Sequence, residues 1–307
     1  MDSKDFTNYK YDFRRSQERR IIAISSQKGG VGKSTTAINL SAYLGDFGYN
    51  TILVDLDPQG NSTNGLGIDE YDFEASTYDL LISNGRPDKA IIKTKFKNLM
   101  LIPSNSKLLS AETELAFLNG NTSRLKDSLK LIQSNYDFII IDCSPSLGIL
   151  TINALTSAKE IVIPVQCEYY AMNGITKLIE IINMTRNKFN NELEEPAVLF
   201  TMHSKTLLSN QVLQHLKDNY SGKIFNTIIP RNIMLAEAPS SKVPISIYNP
   251  DCRGALAYKS FAEEIINNDK DGTKPNSAFI KDRFWDFWKI GPPPRHAVKK
   301  KNREYSF

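Results

Sequence analysis

Short apolar runs rich in isoleucine and valine alternate with amphipathic stretches between Arg20 and Asn267. The runs lack strict alternation of apolar and polar residues, which is typical of strands buried on both faces. Repeated strand–helix units predict an α/β fold, with a doubly wound, mostly parallel sheet and helices on both faces. The predicted strands are Ile21–Ser25, Thr51–Asp55, Leu99–Pro103, Phe138–Asp142, Ile161–Val165, Val198–Met202 and Ile224–Ile229. The predicted helices are Ser34–Phe47, Leu147–Ser157, Ala171–Asn187, Ser209–Tyr220 and Ala255–Ile266.

The same pattern divides the chain into three parts. We expect a polar N-terminal extension over residues 1–20, one α/β domain over residues 21–267 and an aromatic and basic C-terminal appendage over residues 268–307. Within the appendage, the segment Phe279–Trp288 places apolar side chains on one face of a predicted helix. That face has three alternative roles, which are docking on its own domain or a second copy, binding a partner, and touching a membrane surface.

Charge and composition narrow the functional classes. The chain has 38 basic and 34 acidic residues. Both ends of the chain are basic, so the predicted α/β domain contains only 22 of the basic residues and 25 of the acidic ones. A domain of this charge is no polycation, so binding to nucleic acid requires a local basic patch or the tails. The sequence has no apolar run of membrane-spanning length, no secretory signal, and three cysteines without paired spacing. We therefore expect a cytoplasmic protein.

The strongest chemical signal is a glycine-rich loop between the first predicted strand and helix, Lys28-Gly29-Gly30-Val31-Gly32-Lys33-Ser34-Thr35. Glycines let backbone N–H groups converge on phosphate oxygens, and the helix N-terminus adds positive potential. Lys33 suits the β- and γ-phosphates, and the Ser34 hydroxyl suits Mg²⁺. The sequence therefore predicts a P-loop NTPase.

Acidic residues end two further predicted strands. Asp55 and Asp57 lie two residues apart, so their side chains point the same way, toward the strand end. One of them can position the attacking water while the other supports the metal. Asp142 ends a buried apolar strand, where a carboxylate is costly unless a metal or hydrogen bonds compensate. We expect Asp142 to hold Mg²⁺ through water.

Further motifs follow in order, and the whole set resembles the ParA/Soj partition ATPases, of the ParA/MinD class, from about Arg20 to Ile266. The motifs that complete the resemblance are Asp55-Leu56-Asp57-Pro58-Gln59-Gly60-Asn61, Ile229-Pro230-Arg231-Asn232 and Tyr248-Asn249-Pro250-Asp251-Cys252-Arg253-Gly254-Ala255. The resemblance implies that ATP is the nucleotide, that Asp57 serves the water and that Asp55 supports the outer metal shell. It also implies that Lys28 reaches the nucleotide of a dimer partner, and that Pro230 and Asn232 contact the adenine.

The resemblance also implies a function in DNA partitioning. An ATP-bound homodimer is expected to bind DNA without sequence preference on the nucleoid, and a ParB-like activator to trigger hydrolysis and release. The DNA contacts are expected at Lys205, Arg231 and Lys242, a reduced patch because Met234 stands where relatives often carry arginine. A MinD-like ATPase at the membrane surface and a positioner of protein cargo are the alternatives.

Overall fold

The computed structural model describes residues 19–83, 85–167, 171–204, 206–220 and 222–267. In these residues eight strands form one sheet, in the order β3-β4-β2-β5-β1-β6-β7-β8. The strands are β1 (Arg20–Ile24), β2 (Thr51–Leu56), β3 (Ile92–Lys93), β4 (Leu99–Ile102), β5 (Phe138–Cys143), β6 (Glu160–Gln166), β7 (Ala197–His203) and β8 (Lys223–Pro230). All neighbouring pairs are parallel except β3 with β4. The predicted mostly parallel sheet is confirmed.

Helices cover both faces of this sheet, as a doubly wound fold requires. They are α1 (Lys33–Asp46), α2 (Asn61–Gly65), α3 (Thr77–Ile82), α4 (Pro87–Ala90), α5 (Leu108–Leu115), α6 (Arg124–Lys130), α7 (Ile149–Ser157), α8 (Ala171–Lys188), α9 (Leu207–Asn219), α10 (Ile233–Glu237), α11 (Ile245–Tyr248) and α12 (Arg253–Asn267). The core on one face includes α1, α11 and α12, and the core on the other includes α3 and α5–α9. Among the described residues, no helix combines the length and the apolar character needed to cross a bilayer.

The structure adds elements that the sequence pattern did not predict. Strand β3 pairs antiparallel with β4 at the edge of the sheet, with Ile92 opposite Leu101. Two residues are too few for hydrophobic periodicity to reveal a strand. The predicted appendage, with its aromatic segment Phe279–Trp288, lies outside the described residues.

Arg20 begins β1, although the sequence pattern assigned it to the N-terminal extension. Its side chain is buried, and its guanidinium donates to both carboxylate oxygens of Glu160 at 2.6 Å. A third bond reaches the carbonyl oxygen of Ile265 at 2.6 Å. Because Glu160 lies in β6 and Ile265 in α12, Arg20 ties the first strand to both.

Three neighbouring strands end at the same level, and this register positions the site. Strand β5 lies between β2 and β1. Ile24 of β1 and Asp55 of β2 are both register partners of Asp142. Ligands of such sheets bind at the carboxyl ends of the strands. The glycine-rich loop after β1 and the acids at the ends of β2 and β5 therefore meet at one edge.

Candidate nucleotide site

The glycine-rich loop joins β1 to α1 through conformations that favour glycine. Gly30 has φ 73° and Gly32 has φ 92°, both in the left-handed region that residues with a side chain rarely adopt. A Cβ atom placed on Gly29 or Gly30 would meet no atom within 4 Å. These two residues therefore border open space, which phosphate oxygens can enter.

Lys33, the first residue of α1, places a buried cation beside this space. Its side chain is 6% exposed, and its ammonium donates to the carbonyl oxygen of Lys28 at 3.3 Å. Burial lowers the pKa of Lys33, while the charges of Asp142 and Asp57 act in the opposite direction. The ammonium lies within the influence of both carboxylates, and its neutral carbonyl partner can be exchanged for a phosphate. Lys28 itself is exposed.

A threonine of β7 holds the loop from the neighbouring part of the sheet. The Thr201 hydroxyl donates to the carbonyl oxygen of Val31 at 2.8 Å, and both residues are buried. The planar trans peptide points its C=O and N–H in opposite directions. Fixing the Val31 carbonyl therefore also fixes the N–H of Gly32, which points away from Thr201. Sequence reasoning missed Thr201, because one threonine near a strand end forms no motif.

Asp142 ends β5 with a fully buried carboxylate. Its Oδ2 atom accepts a hydrogen bond from the Ser62 hydroxyl at 2.7 Å. Its Oδ1 atom has no hydrogen-bond partner in the part of the chain that the structure describes. Burial raises the pKa of Asp142, while the hydroxyls of Ser62 and Ser34 favour the charged form. Because a buried polar atom without a partner is costly, this oxygen fits a hydrated metal ion.

Asp55 is also buried, but the chain itself satisfies its oxygens. Oδ2 accepts from the backbone N–H of Thr63 at 2.8 Å and from its hydroxyl at 2.7 Å. Oδ1 accepts from the backbone N–H of Asp57 at 3.1 Å. Burial, and then the charge of Asp142, raises the pKa of Asp55. Asp55 thus fastens the start of α2 to the end of β2.

Two hydroxyl residues at the start of α2 were missed by the sequence reasoning. Ser62 bonds to Asp142, and Thr63 bonds to Asp55. The Thr63 oxygen also accepts from the backbone N–H of Ser104 at 3.0 Å. Their one signal in the sequence is their position directly after the turn that ends in Asn61.

Asp57 lies in the turn after β2 and is 5% exposed. Its Oδ1 atom accepts from the backbone N–H of Gln59 at 3.0 Å, and its carbonyl oxygen accepts from the Ser104 hydroxyl at 2.8 Å. Asp57 also lines a cavity of about 190 Å³. The other lining residues are Pro58, Gln59, Leu109, Glu112, Ser144, Pro145, Ser146 and Leu150. A fixed carboxylate in the wall of a cavity is suited to orienting water.

The predicted adenine loop follows β8. Pro230 ends that strand, and Asn232 is the N-cap of α10. The Asn232 Oδ1 atom accepts from the backbone N–H of Met234 at 2.9 Å. The sequence reasoning expected Asn232 to offer a base both a donor and an acceptor. Because the Asn232 Oδ1 atom already accepts the capping hydrogen bond, only the Nδ2 group is left to donate a hydrogen bond to a base.

The three residues predicted to bind DNA have different surroundings. Lys205 lies outside the described residues. Arg231 is exposed, and its backbone N–H donates to the carbonyl oxygen of His203 at 2.9 Å. The Lys242 ammonium lies 2.7 Å from both carboxylate oxygens of Asp69, so its charge is paired.

Known proteins are similar to this chain over most of its length. A family model described as an AAA domain matches residues 19–195. The sporulation initiation inhibitor protein Soj of Bacillus subtilis is 46% identical over 250 residues, which cover 81% of this chain and 99% of Soj. The chromosome partitioning protein ParA of Caulobacter vibrioides is 39% identical, over 82% of this chain and 96% of ParA.

A solved structure gives the same result for the fold. Cobyrinic acid a,c-diamide synthase from Mycobacterium smegmatis, with bound ATP analogue and magnesium, aligns with a TM-score of 0.73 and 33% identity. The alignment covers 84% of this chain and 98% of the synthase. The residues that match the family model contain the glycine-rich loop and all three strand-end acids. Since Soj and ParA also match about four-fifths of its length, the chain belongs to the Soj/ParA family of P-loop ATPases.

Proposed function

We propose that this ATPase is a DNA-partitioning switch of the cytoplasm and nucleoid. With ATP bound it forms a homodimer that holds DNA without sequence preference, and a ParB-like partner stimulates the hydrolysis that releases it. The observation that carries this proposal is the identity of 39–46% with ParA and Soj over about four-fifths of the chain. The buried site at the strand ends supports the ATP-dependent part of it.

The residues of the site fit ATP with Mg²⁺. Open space borders two glycines of the loop, and the Asp142 Oδ1 atom lacks a partner among the described residues. Lys33 would neutralise the β- and γ-phosphates, and Ser34 and Asp142 would hold Mg²⁺, Asp142 through water. The metal would neutralise charge on the phosphates during transfer. Pro230 and Asn232 would bind the adenine.

Hydrolysis is assigned to Asp57, with Asp55 as a positioning residue. The Gln59 N–H fixes one oxygen of Asp57, so its carboxylate has a set direction at the cavity wall. That arrangement suits the orientation of an attacking water. The oxygens of Asp55 are engaged by Thr63 and by the backbone of Asp57, which supports a role outside the metal's first shell.

Dimerisation is assigned to Lys28, whose side chain is exposed at the outer end of the loop. The family resemblance gives this lysine a contact with the nucleotide of the partner. Lys28→Ala should still bind ATP, because Lys33 is intact. Its ATP-dependent dimerisation and its rate of ATP hydrolysis should both fall sharply. Light scattering after size-exclusion chromatography and phosphate release measure the two effects. A variant that turns over normally as a monomer would refute the role across the dimer.

DNA and membrane binding can be separated in one experiment. The full chain is incubated with ATP or ADP, and with either plasmid DNA or anionic lipid vesicles. The proposal expects the chain to co-sediment with DNA in the presence of ATP but not of ADP. It also expects the ATPase rate to rise when DNA and the activator are both present. Binding to vesicles without binding to DNA would favour the MinD-like alternative, and binding to neither would favour protein cargo.

A further inference from the structure

The residues predicted to bind DNA supply little unpaired charge in the described part of the chain. Lys242 is paired with Asp69 at 2.7 Å. Met234 adds none, and Arg231 is one exposed cation. Since non-specific affinity for DNA depends on the number of phosphates neutralised, further basic groups on the described surface would add to this contact.

Three exposed lysines lie in β3 and in the turn that joins it to β4. We call residues 92–98 the lysine hairpin. Lys93, Lys95 and Lys97 alternate with residues that face the protein. Thr94 is 4% exposed and its hydroxyl donates to the carbonyl oxygen of Leu99 at 2.6 Å. This alternation places the three ammonium groups on the outer side. Sequence reasoning missed them, because β3 was not predicted.

The backbone of the lysine hairpin is held firmly against α1. Asn98 adopts φ 52° and its Nδ2 atom donates to the carbonyl oxygen of Gly45 at 3.1 Å. The Asn98 carbonyl accepts from the backbone N–H of Thr51 at 2.9 Å. The Lys97 carbonyl packs so closely on Gly45 that a Cβ at this position would collide with it. A fixed turn presents its lysines with little loss of backbone entropy on binding.

The hairpin continues the surface that contains Lys242. A Cβ placed on Gly67 would lie 3.5 Å from the Lys95 ammonium and 3.3 Å from the Lys242 Cβ atom. The Lys95 ammonium is therefore adjacent to Lys242. Within the described residues the hairpin lysines form no ion pair. Burial raises the pKa of Asp46, while the Ser246 hydroxyl and the charge of Lys97 act in the opposite direction. Three cations are thus available at one place.

We propose that the lysine hairpin binds the phosphate backbone of double-stranded DNA. The inference rests on the proposed function and locates part of its DNA contact. Contacts to phosphate carry no sequence information, as binding without sequence preference requires. A membrane surface is disfavoured, because no exposed large apolar side chain lies in residues 91–98 to insert into a bilayer and add to the attraction of the lysines. A dimer presents the hairpin twice.

The test uses the full chain with ATP and the triple substitution Lys93→Gln, Lys95→Gln and Lys97→Gln. Affinity for a DNA duplex is measured at salt concentrations between about 50 and 200 mM. Each lost phosphate contact removes about 0.9 from the slope of log affinity against log salt, so the slope should fall by about 2–3. The ATPase rate without DNA should be unchanged, because the hairpin adjoins the start of β4, level with Thr51, whereas the acids lie at the opposite ends of β2 and β5.

A matched control removes the same charge from the other face of the sheet. Lys107→Gln, Lys177→Gln and Lys188→Gln alter exposed residues at α5 and α8, and should leave the slope close to that of the unmodified chain. Equal losses in both variants, or an unchanged slope in the hairpin variant, would overturn the inference and leave the proposed function standing. An unmodified chain that binds no DNA overturns the proposed function instead. Hairpin-dependent binding to anionic vesicles and not to DNA would overturn both.

Discussion

The acidic site at the strand ends and the lysine hairpin lie at opposite extremes of burial within one domain. Asp55, Asp57 and Asp142 are at most 5% exposed, whereas all three hairpin lysines are exposed. In the acidic site, named donors fix the carboxylates on the chain. In the hairpin the backbone and the side chains of Thr94 and Asn98 are fixed, and the three lysines are exposed. Buried charge is held for chemistry, and exposed charge is left available for binding.

The two regions should therefore respond differently to substitution. Removing a buried charge leaves its partner unsatisfied in a medium of low dielectric constant, which costs several kcal/mol. Removing an exposed charge changes stability by about 0.5 kcal/mol or less. Substitutions in the acidic site or of Lys33 are expected to cause large losses of nucleotide binding or of turnover. Substitutions in the hairpin are expected to cause salt-dependent losses of DNA binding.

Lys33→Ala should have the largest effect on nucleotide binding. The substitution removes the buried cation that faces two carboxylates, so the phosphates would enter a site of net negative charge. Truncating one partner of such a buried pair costs about 2–5 kcal/mol, which lowers affinity by roughly 30-fold or more. Calorimetric titration with ATP and Mg²⁺ measures it. Lys107→Ala, an exposed lysine on the other face, is the control, and equal affinity in the two variants would contradict the assignment of Lys33.

Asp57 should affect turnover and spare binding. Asp57→Ala is expected to lower the hydrolysis rate by about 10²–10⁴-fold, because the group that orients the water is lost. The ATP-bound dimer should then accumulate. Asp57→Asn is the matched variant, since its amide oxygen can still accept from the Gln59 N–H and keep the turn. Phosphate release in a single turnover measures the rate, and normal turnover in either variant would refute the role of Asp57.

Much of the fold could be predicted, because buried parallel strands carry uninterrupted apolar runs. All seven predicted strands are present, and the β5 run from Phe138 differs from its prediction by one residue. The short elements escaped prediction, β3 with two residues and α4 with four among them. Elements of this length are set by contacts with the rest of the domain and not by local periodicity.

The site could be predicted where one short segment carries the chemistry. The glycine-rich loop and the acids of β2 and β5 are visible in the sequence, and the structure brings them together. Ser62 and Thr201 were missed, because each acts on a residue far away along the chain, Asp142 and Val31 respectively. The cap formed by Asn232 was also missed, since it depends on where α10 begins.

Thr201→Val should weaken nucleotide binding moderately. Valine keeps the shape of threonine but leaves the buried Val31 carbonyl without its donor, which costs about 1–3 kcal/mol. The direction of the Gly32 N–H is then less fixed, so affinity for ATP should fall by roughly tenfold, with a smaller change in the rate at saturation. Thr201→Ser retains the hydroxyl and should restore affinity. If both variants bind ATP like the unmodified chain, Thr201 does not position the loop.

Gly45→Ala should have the smallest effect and tests whether the hairpin is held against α1. Alanine within a helix ordinarily stabilises by about 1 kcal/mol relative to glycine. At Gly45 the added Cβ would collide with the Lys97 carbonyl, so the free energy of unfolding should instead fall by about 1–2 kcal/mol. Gly65→Ala is the control, because its Cβ would meet only the tip of the Ile38 side chain, which can rotate away. Urea unfolding measures both, and a Gly45→Ala variant more stable than the unmodified chain would show that the hairpin is free of α1.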